Sequence, residues 1–480
     1  MIVVYVLSAI IALFIILLLA AVFHAVFTGR KKSEVPVPGE EALKRSEAYA
    51  EKLSEMVGVD TTSNAGVSKP EHLKEFHSVL EKLFPLVHSE LEKTDIEGNL
   101  LFYWKGKSGE RPLVLMSHQD VVPAEGDWIH PPFSGDIADG KVWGRGSADT
   151  KCTVMAFFQA VEELLREGYV PPQDVYLSSS CTEEWGGPGC KALVSELKRR
   201  GVKPFLVCDE GGAIIGNPIG GINGHFAMVG VFEKGNAHLR FTASGKGGHA
   251  SAPPRNTPIA RLAAFENSVE KKPPFRKKLS REVKAMFSTL SAYAPFGLRL
   301  LFGNIWLFAP LLKAVLPVVS SQAGAMLRTT IAFTMQSGSD AFNVLPAEAE
   351  VSANMRFIPH QGMDESIEII KKKAESFGLE TKVISASDYT KPVDINGEGF
   401  GLVRKVINRT FPGLCVCPYF MTGATDARFY QEICDNCIRF APVVYDAEQL
   451  AGMHGLNENI GVSCLSGAVD FYRNLIGLME

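Results

Sequence analysis

No Asp, Glu, Lys or Arg occurs between Ile2 and Phe27. That stretch is dominated by Val, Ile, Leu, Ala and Phe, and about 20 apolar helical residues suffice to cross a bilayer. A cleaved leader would carry basic residues ahead of a shorter apolar core and a small-residue cleavage site. Here the basic cluster, Arg30, Lys31 and Lys32, follows the apolar run. Residues 1–32 are therefore expected to form a single-pass N-terminal transmembrane anchor. The positive-inside rule then places the main body on the cytoplasmic side.

Other absences narrow the function. The formal net charge is −4, which supplies no basic face for a nucleic-acid partner. The nine Cys are scattered and odd in number, so no disulfide framework is expected and most thiols should be reduced and buried. Cys434 and Cys437 form a lone CxxC, which without a second pair reads as two packed cysteines. No G-x-S-x-G elbow is present, which disfavours a serine hydrolase. Gly211–Gly216 (GGAIIG) does not match a dinucleotide loop. No internal repeat or low-complexity tract was found. The 480 residues are 46% hydrophobic and 21% charged, ordinary values for a chain long enough for an anchor and two domains.

Residues 33–40, with Pro36 and Pro38, read as a linker, and Glu41–Val57 has helical spacing. Strand-like runs then alternate with amphipathic helices. Leu113–Ser117, Val175–Ser179 and Phe205–Cys208 are short and apolar and end at polar residues, as buried parallel strands do. Thr153–Arg166 is the clearest helix between them. The texture changes around Val229–Asn236. A half-exposed strand (His238–Ala243), a helix (Pro258–Val269), two strands (Thr330–Met335 and Ala349–Phe357) and a helix (Asp364–Phe377) suggest a small inserted domain. Phe400–Asn408, Leu414–Tyr419 and Val462–Leu478 would return to the first.

The expected class is α/β, a mixed and mostly parallel sheet flanked by helices. It would be built from residues 33–232 and 388–480, with an inserted α+β lid or dimerisation domain at 233–387. Ala285–Leu327 is rich in Phe, Leu, Ala, Val and Trp but is interrupted by Pro295, Pro310 and Pro317, so it is a poor span. Two short apolar helices on the inserted domain are expected there. They would cover the site, touch the bilayer or line an apolar pocket; a local core or a dimer contact is the plainer alternative.

Five acid or His clusters stand out, most of them at the ends of the expected strands. Ser117-His118-Gln119-Asp120 follows LVLM. In an extended chain residues i and i+2 share a face, so Asp120 is expected to hydrogen-bond the His118 ring and aim its other nitrogen at a metal. Gly144–Asp149 (GRGSAD) is a Gly-rich loop leading into a helix. Cys181–Gly187 (CTEEWGG) holds the adjacent carboxylates Glu183 and Glu184, useful if one binds metal and the other moves protons. Cys208–Gly212 (CDEGG) and Gly452–Gly455 (GMHG) complete the set. Each alone has a plain explanation as a cap, turn or surface residue. Together they fall at the C-terminal edge of one parallel sheet, where α/β proteins place their sites. A mixed His/carboxylate set suits zinc, and two ions about 3.5–4 Å apart would hold a hydroxide between them.

The chain resembles the two-zinc metallopeptidase family that includes aminoacylase, carboxypeptidase G, succinyl-diaminopimelate desuccinylase and carboxypeptidase S. The resemblance rests on SHQDVVPAEGDWIHPPFSGDIADGKVWGRGSADTK, TEEWGG, DEGGA, GGHASAPP, FNVLPAEAEVSANMRF and TGATDARF. It runs from about residue 80 to the C-terminus. The carboxypeptidase S branch, with the secreted fatty-acyl amino acid hydrolases of animals, is the most similar in LRTTIAFT and the apolar insertion before it.

The resemblance implies roles. Asp149 would bridge two Zn2+ ions, with Co2+ or Mn2+ as alternatives. His118 and Asp209 would complete one site, Glu184 and His454 the other. Glu183 would be the general base and Asp120 the partner of His118. His249 would polarise a substrate carbonyl, across a homodimer interface in one version. Asn343 and Arg356 would hold the substrate, with Arg356 suited to a bidentate grip on a carboxylate. Gly423 and Thr425 lie in a substrate-binding turn. The implied activity is cleavage of N-acyl amino acids or of C-terminal peptide residues. A dipeptidase or aminopeptidase would need an ammonium site that the sequence does not reveal. A membrane-tethered binding protein would be expected to have lost Glu183 or a ligand, and neither is lost.

Overall fold

The structure, a computed structural model, describes residues 1–65 and 70–479. A ten-stranded sheet forms its centre. The Ser108–Met116 strand lies between Gln173–Ser179 and Leu206–Asp209 and runs parallel to both. Its apolar end serves two cores, because alternate side chains point to opposite faces. Leu113 and Leu115 pack with Phe157 and Phe471 on one side. Val114 and Met116 pack with Leu193 and Leu197 on the other. The helices Lys151–Arg166 and Gly189–Arg199 cover these faces, which is why the strand reads as a continuous apolar run. Antiparallel pairs at 92–104 and 213–233 make the sheet mixed.

A second sheet has four antiparallel strands in the order Thr330–Ser337, Glu348–Phe357, Gly235–Ser244, Glu380–Ser387. The two central strands alternate buried and open residues. Their buried Phe241 and Met355 pack with Phe265 and Ile370 from the helices Pro258–Lys271 and Met363–Glu375. The Glu380–Ser387 strand has no counterpart in the sequence reading. Nearly all of its side chains are open, so it carries no alternation to read.

The apolar stretch departs from expectation. It forms four helices, not two: Arg281–Ser291, Phe296–Gly303, Ile305–Val319 and Ser321–Ala325. They also sit on the main unit, not on the inserted sheet. Met286, Phe287, Phe302, Leu312 and Leu316 share a core with Phe226, Cys417 and Phe420. Pro310 and Pro317 lie inside the Ile305–Val319 helix, and that helix meets Phe296–Gly303 at a bend of 108°.

Ile2–Thr28 is a single helix, long and apolar enough to cross a membrane, and only Ala21 and Ala25 along it are buried. The segment after it is fastened to the body. The Lys31 N–H donates to the Ala292 carbonyl at 2.8 Å. The Ser33 hydroxyl donates to the His225 carbonyl and accepts from the Cys415 N–H. All nine cysteines are free, and eight are buried.

Candidate metal centre

The parallel strands deliver His118, Glu183, Glu184, Asp209 and Glu210 to one edge of the sheet. Asp149 arrives just before the Lys151–Arg166 helix, and His454 just after the helix Ala447–Gly452. The His118 Nε2 lies 3.2 Å from Asp149 Oδ1. The His454 Nε2 lies 3.1 Å from Asp149 Oδ2 and 3.0 Å from Glu184 Oε2. Asp149 thus turns one oxygen toward each imidazole. Donor atoms of His118, Asp149 and Glu184 all fall within 4.8 Å of one another, close enough to share an ion.

The tautomer of His118 is set differently from the sequence expectation. Its Nδ1 is 2.9 Å from the Asp120 main-chain oxygen. The Asp120 carboxylate stands 3.6 Å from that nitrogen. It accepts the Glu183 and Glu184 N–H groups instead, each at 3.2 Å. The strand ends at Met116, and beyond it the Asp120 carboxylate is engaged by the Glu183 and Glu184 N–H groups and by the Ser63 hydroxyl. Asp120 still orients the site, by holding the backbone of the two glutamates.

Charge in the cluster suits divalent cations. Burial pushes the Glu183, Glu184 and Glu210 carboxyls up, with neighbouring acids adding to it. Burial pushes Asp149 up too, but hydrogen bonds from His118 and His454 outweigh it and hold that carboxyl low. The Glu184 Oε1 is buried with no hydrogen-bond partner among the described residues. Crowded acids, imidazole nitrogens and an orphaned carboxylate oxygen fit a metal pair, since two buried like charges do not otherwise coexist.

Asp209 and Glu210 divide their labour in a way the sequence did not predict. Asp209 Oδ1 accepts the Glu210 N–H at 2.8 Å and its Oδ2 accepts the Ala427 N–H at 2.7 Å. Burial raises its carboxyl to about 6, against those bonds and Arg439. Burial holds the Glu210 carboxyl well above its ordinary value, with Asp149 and Asp209 adding to it.

Glu458 was missed from the sequence. It is fully buried. Its Oε1 accepts the N–H groups of Gly146, Ala148 and Asp149 at 2.9–3.0 Å, and its Oε2 pairs with Arg145 at 2.6 Å. This carboxylate shapes the loop that carries Asp149. Glu458→Ala is expected to destabilise the protein by about 3–5 kcal/mol, the usual cost of leaving a buried charge such as Arg145 unpaired. Denaturant titration of the wild type and variant checks it.

The expected substrate residues are dispersed. His249 is exposed on a two-residue strand that pairs with Val344–Leu345, and its Nδ1 bonds the Ser251 hydroxyl at 2.7 Å. Asn343 is adjacent, its carbonyl accepting the Ala250 N–H. Arg356, on the Glu348–Phe357 strand, donates to Asn354 at 3.0 Å. Burial, then Arg428, lowers its affinity for a proton. Lys234 is pushed down to about 7 by burial and then by Arg356 and Arg328; its Nζ donates to the Arg328 carbonyl at 3.1 Å, and Arg356 pairs along the sheet with Asn236 and Thr330. Gly423 has open space around it. Thr425 is 2% exposed, and its hydroxyl donates to Glu233 at 2.8 Å and not into the cleft.

An α/β unit with a His/carboxylate cluster at the C-terminal edge of its parallel strands is the frame of a metal-dependent hydrolase. The chain belongs to Peptidase family M20/M25/M40, whose profile matches residues 114–477, and it is a metal-dependent hydrolase of amide or peptide bonds. It is 33% identical to "Probable carboxypeptidase S-like 2" of Dictyostelium discoideum, over 85% of this chain and 79% of that protein. It is 32% identical to the human "N-fatty-acyl-amino acid synthase/hydrolase PM20D1", over 94% of this chain and 91% of the other. Among solved structures it is similar to the M20 family metallo-carboxypeptidase Sso-CP2 from Sulfolobus solfataricus, with a TM-score of 0.67 and 18% identity. That match covers 90% of this chain and 98% of the other. Human carnosine dipeptidase 1 aligns with a TM-score of 0.62 and 16% identity, over 92% and 99% of the two chains.

Proposed function

We propose that the protein is a membrane-anchored, two-zinc amidohydrolase that cleaves the amide of N-acyl amino acids or of C-terminal peptide residues. The reading is carried by Asp149, which faces His118 with one oxygen and His454 with the other. His118, Asp149 and Glu210 would hold one ion, and Asp149, Glu184 and His454 the other. Glu210 takes the place first given to Asp209, because both Asp209 oxygens already accept main-chain N–H groups. The ions, zinc with cobalt or manganese as alternatives, would polarise the carbonyl and lower the pKa of a water.

Glu183 takes the proton of the attacking water and delivers it to the leaving nitrogen as the C–N bond breaks. Its burial supports that role by raising its affinity for a proton. Arg356, with Arg328 and Lys234 beside it, would receive the substrate carboxylate. His249 and Asn343, neighbours at the two-stranded pair of Gly248–His249 with Val344–Leu345, would reach the substrate carbonyl through a homodimer. The Ile2–Thr28 helix would be a single-pass anchor, with the body on the side of Arg30–Lys32, the cytoplasmic side by the positive-inside rule.

The test is hydrolysis by the zinc-loaded full chain of fatty-acyl amino acids, short acyl amino acids, dipeptides, and the methyl ester of the best substrate. Fatty-acyl amino acids should give the highest kcat/KM. The ester should lose at least about tenfold, the scale of one charge-assisted contact. Equal turnover of acid and ester, or preference for free dipeptides, would overturn the reading.

A further inference from the structure

The outward face of the Ile305–Val319 helix is apolar. Trp306, Pro310, Leu311, Ala314, Val315, Val318 and Val319 are all exposed, at the spacing of one helical stripe. Trp306 is 60% exposed and Val318 85%. The opposite stripe, Ile305, Leu312 and Leu316, is buried in the main core. A surface helix of a soluble protein shows water a polar face, whereas the one charged residue of this helix is the half-buried Lys313. Phe296, on the preceding helix, is also exposed. A contiguous apolar surface of this kind marks an interaction site.

Its neighbour says what covers it. The 108° elbow between Phe296–Gly303 and Ile305–Val319 is bolted to the Ile2–Thr28 helix. The Asn304 side chain is 1% exposed. Its Nδ2 donates to the Ala21 carbonyl at 3.1 Å, and its Oδ1 lies 3.2 Å from the His24 ring nitrogen. These contacts fall near the C-terminal end of the long helix. A hydrocarbon core about 30 Å thick takes about 20 helical residues, which Ile2–Ala21 supply, so Ala21–Thr28 emerges at the headgroup level. Arg30, whose Nε donates to the Tyr293 carbonyl, and Lys31 lie where anionic headgroups attract basic residues.

We propose that this elbow is a second membrane contact, lying in the interfacial layer of the same leaflet from which the Ile2–Thr28 helix emerges. The occupant of its apolar stripe is lipid. The body is thereby held against the bilayer by two elements in one orientation, and does not swing from a single tether. The proposal rests on the anchor reading, and the experiment separates the two.

The full chain is reconstituted in phosphatidylcholine vesicles with plain or dibrominated acyl chains, and tryptophan emission is compared. Of the five Trp, Trp104 and Trp143 are each 7% exposed. Bromine should quench wild-type emission, and Trp306→Phe should abolish that quenching. Phe14→Trp in the Trp306→Phe background reports the long helix on its own. Quenching of Phe14→Trp without any from Trp306 would leave the anchor standing and overturn the elbow. Absence of quenching in both would overturn both. A Trp306 that bromine does not quench but that is shielded from iodide would assign the stripe to a protein partner, which also sinks the proposal.

Discussion

Glu183→Gln should lose at least about a hundredfold in kcat, the scale of a missing general base, while keeping its full metal content. The amide has nearly the shape of the carboxylate, and the main-chain bond from Glu183 to Asp120 does not involve the side chain. Substrate binding should therefore change little, and the loss should appear in kcat and kcat/KM alike, the signature of an interaction made only in the transition state. Single-turnover kinetics with a fatty-acyl amino acid, beside metal analysis of the same sample, gives both readings. Wild-type turnover in this variant would refute the assigned chemistry, whereas loss of metal would move Glu183 into the ligand set.

The second large effect separates two adjacent acids. Glu210→Gln should lower metal stoichiometry toward one ion per chain and reduce turnover at least about a hundredfold, because a neutral amide is a poor replacement for a carboxylate ligand. Asp209→Asn should keep both ions and lose stability instead. Asparagine has one side-chain acceptor oxygen, and Asp209 serves two N–H donors, from Glu210 and Ala427. Leaving one buried donor unpaired costs about 1–3 kcal/mol. Metal analysis and denaturant titration of the two variants decide it. If Asp209→Asn emptied the site and Glu210→Gln did not, Asp209 would be the ligand after all.

That pair also marks the limit of what the sequence could reveal. The apolar end of the strand Ser108–Met116 was legible, as Leu113–Ser117, because its apolar run ends abruptly at polar residues, and His118 follows directly. Glu184 was legible for the same reason. Between Asp209 and Glu210, composition offers no choice, and the main-chain N–H groups that occupy both Asp209 oxygens have no sequence signature. Glu458 carried no signal, because it acts on main-chain N–H groups and those have no sequence signature. The helices of 281–325 were misplaced for a related reason. Their apolar stripes show that they are covered, but a stripe does not name the surface that covers it.

Glu458 has a consequence for how the protein is made. It closes on Arg145 across 313 positions of chain, and its three main-chain bonds cross 309–312. At about 5–20 residues per second of synthesis, the Asp149 loop waits roughly 15–60 s for its clasp to leave the ribosome. During that interval the nascent polypeptide holds a pocket of mutually repelling acids with neither His454 nor Glu458 in place. With His454 in the proposed ligand set, the metal pair would be completed only after synthesis ends, and truncations that remove only the last few dozen codons should yield a chain that never matures.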